Sequence, residues 1–325
     1  MDIEYLLWLQ GIRESLSPFI EMLMNVITHL GGNICLAVVP CVIYWTLDKE
    51  LGMFALVNVC IGGNINQTVK DTACVYRPWI RDPRVVPSPA ALDGATGYSF
   101  PSGHTQSAGC VYGATAWKLR NRRRAVSILL VVITLLVAFS RNFLGVHTPQ
   151  DVLVALAETA LSIWLSQLVI AWVRRETTKD TTVLAVGIAV AVVLMAYTAL
   201  KPYPMDYVDG VLLVDPTKMK LDAFSCAGIL AGVTAGWFLE HRYVRFSTDC
   251  SAGRKAVRFA ICLAVVGIFF GMAQLIKLAL GRGMVYATAK GLFPAFSGVF
   301  IGPAVSAPLE RRFAPSDTEN PRGSR

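Results

Sequence analysis

Charge is scarce in this sequence. Lys, Arg, Asp and Glu make up 16% of its 325 residues, against roughly 25% in an ordinary soluble domain, so a water-exposed globule is a poor account of it. Histidine is scarcer still, present only as His29, His104, His147 and His241. No histidines are paired at metal-ligand spacing, and Cys35, Cys41, Cys60, Cys74, Cys110, Cys226, Cys250 and Cys262 contain no close CxxC. That argues against a zinc module and a disulfide framework alike; the cysteines read as small apolar fillers. No basic start precedes a clean apolar core at the N-terminus, which argues against a secretory signal peptide. No internal repeat is visible.

What the sequence has in abundance is apolar length. Hydrophobic residues make up 54% and the mean hydropathy is +0.51. Long runs with little charge at 124–140, 151–173, 181–200 and 259–276 approach the roughly 20 residues a helix needs to cross hydrocarbon. The expectation is an all-α, polytopic membrane helix bundle of about nine transmembrane helices. The formal charge of +8 does not point to nucleic acid, because the basic residues sit at the ends of apolar runs, where they set membrane orientation.

Four regions follow. Residues 1–17 form an N-terminal interfacial segment with an amphipathic helix near 3–15. Residues 18–200 form a membrane catalytic core, which includes a proline-rich mouth loop at 71–101. Within it, 18–47 reads as one long or kinked span broken at Gly31-Gly32; a re-entrant segment there would reduce the count to eight. A third span starts at Pro101, with proline in its first turn, and ends before the cluster Lys118 to Arg124. That cluster marks the cytoplasmic side, and the fifth span begins near Pro149. Residues 201–310 supply C-terminal transmembrane helices, in which Gly228, Ala231, Gly232 and Gly236 permit close helix contact. Residues 311–325 form a polar cytoplasmic tail.

Three polar motifs interrupt this apolar plan: Lys70 with Arg77-Pro78, Pro101-Ser102-Gly103-His104, and Ser140-Arg141 with His147 and Asp151. Alternating spans bring all three to one membrane surface, opposite Arg122 to Arg124. Ionisable groups at that depth are costly and call for a function. Lys70 offers a point charge, Arg77 and Arg141 planar forks, and Ser102 and Gly103 hydroxyl and amide donors at a helix start, a set suited to phosphate oxygens. Neutral His147 is expected to attack phosphorus, oriented by Asp151 one helical turn on. His104 is expected to protonate the leaving oxygen and then to deprotonate water. These steps need no metal and no cofactor.

The ordered set resembles the type 2 phosphatidic acid phosphatase superfamily, which includes lipid phosphate phosphatases, glucose-6-phosphatase and vanadium haloperoxidases. The resemblance spans roughly residues 50–170 and implies the same roles: phosphate binding by Lys70, Arg77, Ser102, Gly103 and Arg141, and catalysis by His104, His147 and Asp151. Nine crossings with the N-terminus on the active-site side look most like glucose-6-phosphatase and sphingosine-phosphate phosphatases. The expected activity is metal-independent hydrolysis of a lipid or isoprenyl phosphate or diphosphate through a phosphohistidine. A soluble sugar phosphate as substrate, phosphotransfer to an alcohol, and phospholipid transport without catalysis are the alternatives. Membrane lipids are the expected partners, and phosphate or vanadate the expected site ligands. The site should face the periplasm or exterior in a bacterium, or the endoplasmic reticulum lumen in a eukaryote.

Overall fold

The computed structural model describes residues 1–175 and 179–313, the side chains of 311–313 excepted. The N-terminal segment is helical as expected: α1 (Asp2–Ser15) turns Leu6, Leu9 and Arg13 inward. Ser17 caps α2 (Pro18–His29) by accepting the Phe19 amide, with Pro18 in the first turn, where no helix bond is lost. The chain breaks at Gly31-Gly32 and bends by 51° into α3 (Asn33–Val42), which runs on through a π turn to Leu47. A Cβ on Gly31 would stand 2.5 Å from the His104 carbonyl oxygen, so only glycine lets the bend come this close.

Asp48 caps α4 (Lys49–Ala73) through the Leu51 amide, and Cys74 ends the helix in the left-handed conformation. The mouth loop contains two short helices, α5 (Pro78–Arg81) and α6 (Pro89–Leu92). Next come α7 (Gly103–Ala108), a π turn at Gly109–Gly113 and α8 (Ala114–Leu119). The helix therefore starts two residues after Pro101. Ser102 is the cap, because its hydroxyl can accept a first-turn amide and a proline ring cannot.

Two long helices, α9 (Arg124–Phe143) and α10 (Pro149–Arg175), complete the core, and α11 (Lys179–Leu200) follows. A small hairpin, β1 (Tyr207–Val208) with β2 (Val211–Leu212), turns through Asp209-Gly210, both at positive φ. Asp-Gly between apolar residues is a strong hairpin signal, in a stretch assigned from the sequence only to the C-terminal transmembrane helices. The chain closes with α12 (Pro216–Leu239), α13 (Ala252–Leu280), α14 (Met284–Phe296) and α15 (Gly302–Phe313). The expected glycine contact is made between α12 and α14. A Cβ on Gly228 would lie 2.4 Å from the Thr288 carbonyl oxygen, and one on Gly291 2.1 Å from that of Ser225.

Among the described residues, six helices are long and apolar enough to cross a membrane, or seven if the bent pair is one span. The count of nine is not established by these criteria. The stretch 103–119 falls outside them because it is too short, and α4 because it lines the bundle interior, where it buries Asn58, Asn64, Asn66, Gln67, Lys70 and Asp71. A helix packed against protein rather than lipid need not be apolar all round.

Candidate active site

The short loop between α9 and α10 is built on a reciprocal cap. Thr148 Oγ1 accepts the Asp151 amide at 3.4 Å, and Asp151 Oδ2 accepts the Thr148 amide at 2.9 Å. This is a capping box with Asp in the place of Glu, and it fixes the carboxylate before any catalytic partner is considered. The same oxygen accepts His147 Nδ1–H at 3.2 Å and the Ser99 hydroxyl at 2.5 Å. Asp151 therefore holds the tautomer with its proton on Nδ1 and its lone pair on Nε2. Arg77 Nη1 donates to that Nε2 at 2.9 Å. Asn142 fixes the loop further by donating to the His147 carbonyl at 2.9 Å.

Arg77 is held along its other edges by the carbonyls of Thr96, Gly97 and Val146. Burial brings its pKa down to about 10, still a cation at neutral pH. Lys70 donates to the carbonyls of Tyr98, Ser99 and Pro101, the last at 2.5 Å. Its three N–H bonds thus clamp the segment that leads into Ser102. The Ser102 amide is also engaged, donating to the Asp151 carbonyl at 3.0 Å. Its hydroxyl oxygen accepts from the Thr105 amide and hydroxyl, which leaves the hydroxyl proton to donate elsewhere. Gly103 opens α7 beside Asn66.

His104 lies under the mouth loop. A Cβ on Gly94 would be 3.2 Å from its Cε1 and 3.4 Å from its Nε2. Arg141, Arg77 and Lys70 all act electrostatically on its ring, which brings the histidine of the second motif into the field of the cations of the first and third.

Arg141 differs from the other cations. It is 1% exposed and gives Nη1 to Thr28 Oγ1 at 2.7 Å, while its Nε and Nη2 are buried with no hydrogen-bond partner among the described residues. Buried guanidinium donors left unpaired are expensive; a pair of adjacent ones is the geometry that takes an oxyanion bidentately. Burial and the nearby Arg77 push the His147 imidazole well below its ordinary range, against the opposing pull of Asp151. His147 is therefore neutral at physiological pH.

The structure thus gathers Arg77, His147, Asp151 and Ser102 through direct contacts, with Lys70 clamped to the segment that joins them. Several partners had no sequence signal beyond proximity to a motif: Ser99, Thr148 and Asn142 around the histidine, and Thr28 around Arg141. Of these, Thr148 was the most legible, since Thr-Pro-Gln-Asp has the spacing of a helix cap.

Residues 51–177 match the PAP2 superfamily, and residues 224–310 match the PAP2 superfamily phosphatase transmembrane extension. Phosphatidylglycerophosphatase B of Bacillus subtilis (strain 168) is 31% identical over 147 residues, 42% of this chain and 68% of that protein. No solved structure matches. The chain belongs to the PAP2 superfamily. It is an integral membrane protein and a phosphoric ester hydrolase. All eight candidate residues, from Lys70 to Asp151, lie inside the PAP2 match, whereas Thr28 and the bent pair that carries it lie outside. The extension takes in most of α12 and all of α13 and α14, the glycine-packed part of the bundle.

Proposed function

We propose that this PAP2 protein hydrolyses a membrane-borne lipid or isoprenyl phosphate or diphosphate through a phosphohistidine on His147. The observation that carries the reading is the buried Arg141 fork, with Nε and Nη2 unpartnered and its charge felt at the His147 ring. A phosphoryl group supplies the oxygens such a fork lacks.

The steps follow from the hydrogen bonds. Arg77 Nη1 moves from Nε2 to a phosphate oxygen, which frees the lone pair. Nε2 attacks phosphorus, the N–P bond forms, and the P–O bond to the leaving group breaks. Protonated His104 gives its proton to that oxygen; the dianionic substrate beside the ring favours the protonated form. The phosphorylated ring is then cationic, with its Nδ1 proton held by Asp151. Water next attacks phosphorus as His104 takes its proton, the N–P bond breaks, and its electron pair returns to Nε2. Ser102 and Gly103 add donors, and Lys70 contributes charge while holding the segment before them.

A lipid tail is supported by α2, which presents Phe19, Met22, Leu23 and Val26 outward and carries in its last turn the Thr28 that holds Arg141. The named relative acts, by its name, on a phosphatidylglycerol phosphate. The site is proposed to open on the surface opposite Arg122 to Arg124, periplasmic or extracellular in a bacterium or lumenal in a eukaryote, with the C-terminus cytoplasmic. The test is phosphate release from phosphatidate, phosphatidylglycerol phosphate, sphingosine phosphate, a prenyl diphosphate and glucose 6-phosphate, with His147→Ala as control. Turnover of the lipid substrates, lost in the variant, is expected. Turnover of glucose 6-phosphate alone would reject the lipid reading, a phosphorylated alcohol product would indicate transfer, and lipid movement in liposomes without phosphate release would indicate transport.

A further inference from the structure

The loops of the active site are pinned from outside the PAP2 match by Arg13, on α1. Arg13 is 8% exposed, and its guanidinium donates to two main-chain carbonyls: Nη1 to Phe143 at 3.3 Å and Nη2 to Val86 at 2.5 Å. Phe143 is the last residue of α9, so its carbonyl is one of those a helix end leaves without an intrahelical donor, and a cation there also suits the helix dipole. Val86 belongs to the mouth loop. One side chain therefore ties the loop that carries His147 to the loop that carries Arg77. Taking a guanidinium out of water for two carbonyls is costly, and the cost calls for a reason.

The fit around Arg13 is close. Gly145, at positive φ between α9 and α10, faces it: a Cβ there would stand 3.5 Å from Arg13 Nη1 and 3.3 Å from Pro87 Cα. The carbonyls that follow Phe143 are held in turn. That of Leu144 accepts the Ser88 amide at 2.9 Å, that of Val146 accepts Arg77 Nη1, and that of His147 accepts Asn142 Nδ2. Arg77 also contacts the reacting nitrogen, whereas Arg13 and Ser88 hold the loop without touching it. Ser88 in turn follows closely on Val86, whose carbonyl accepts Arg13 and whose amide donates to Gln10 Oε1 at 2.9 Å. Leu9 shares an apolar cluster with Phe143, Leu144 and Val146 on one side and Ala91 and Ala95 on the other. Helix α1 thus grips both loops at once, while the main core of the bundle, around Phe54, Ile170 and Val233, is a separate cluster.

We propose that Arg13 is a positioning residue of the phosphatase: by holding the Phe143 and Val86 carbonyls together, it fixes the distance from His147 Nε2 to a phosphate held by Arg77 and Arg141. The proposal rests on His147 as the nucleophile. A nucleophile misplaced by about 1 Å costs about a hundredfold in rate, while the cations still bind the substrate.

The test compares two inhibitors of the full-length protein. Vanadate can take a fifth bond from the nucleophile and so mimics the transition state, whereas phosphate is held by the cations alone. Arg13→Gln should raise the vanadate inhibition constant about tenfold and lower kcat by about as much, with KM and the phosphate inhibition constant changed by less than about twofold. Arg13→Lys, which keeps the cation, should recover part of both losses. Asp2→Ala/Glu4→Ala breaks the surface pairs of the same helix with Arg81 and Arg84 and should leave all four values unchanged. Equal losses of vanadate and phosphate binding, an unchanged vanadate constant, or failure of both Arg13 variants to fold would overturn the proposal. A wild type that binds vanadate no more tightly than phosphate would instead overturn the nucleophile reading on which it rests.

Discussion

At the scale of residues, chemistry made the motif side chains legible, while their partners were not. Lys70, Arg77 and Arg141 could be recognised because few other residue types serve a phosphate. That Lys70 would spend its donors on the carbonyls of Tyr98, Ser99 and Pro101 could not, because a backbone acceptor carries no sequence identity. Thr28 lies 113 positions from Arg141 and outside the PAP2 match. Thr28→Val should lower kcat/KM about tenfold to a hundredfold, the cost of losing a hydrogen bond to a charged group. Thr28→Ser should restore most of it; a full-rate valine variant would show that Arg141 needs no such support. The depressed pKa of His147 makes a second prediction. Its acid limb in kcat/KM should lie well below the usual value near 6.5. The linkage has a definite sign: below about 6.5 the unfolded chain binds a proton that the folded protein refuses, so this residue lowers stability as pH falls and contributes no pH dependence above that value. Between pH 8 and pH 5 the wild type should therefore lose thermal stability relative to His147→Asn, and a difference that stays constant would contradict the assignment.

At the scale of elements, apolar length located the helices, but ends and bends depended on contacts. Pro101 was expected in the first turn of a helix that Ser102 in fact caps, and the Asp209-Gly210 hairpin was missed. The break at Gly31-Gly32 was visible as two glycines; its purpose, room for the His104 carbonyl, depends on tertiary packing. Two glycine substitutions should therefore behave differently. Gly31→Ala pushes a methyl group against the first turn of α7 and should lower phosphate release more than thermal stability. Gly291→Ala drives α14 from α12, far from the motifs, and should destabilise by about 1–3 kcal/mol as overpacking does with activity per folded molecule retained. Paired melting and activity measurements distinguish the two outcomes, and equal effects on both readouts for both variants would remove the distinction.

At the scale of the whole molecule, one membrane-embedded bundle brings cations from α4, the mouth loop and α9 to a histidine between α9 and α10. Alternating spans made that convergence readable from the sequence. Vanadate, which presents oxygens as phosphate does, should inhibit competitively, and Arg141→Ala should weaken that inhibition at least tenfold; undiminished inhibition would place the oxyanion elsewhere. The account as a whole depends on a covalent bond to one nitrogen. Rapid acid-free quenching of the enzyme during turnover of a 32P-labelled substrate, followed by peptide mapping, should recover acid-labile, base-stable label on the peptide containing His147 and none from His147→Ala. Turnover without any such label, or label that persists in the variant, would contradict it.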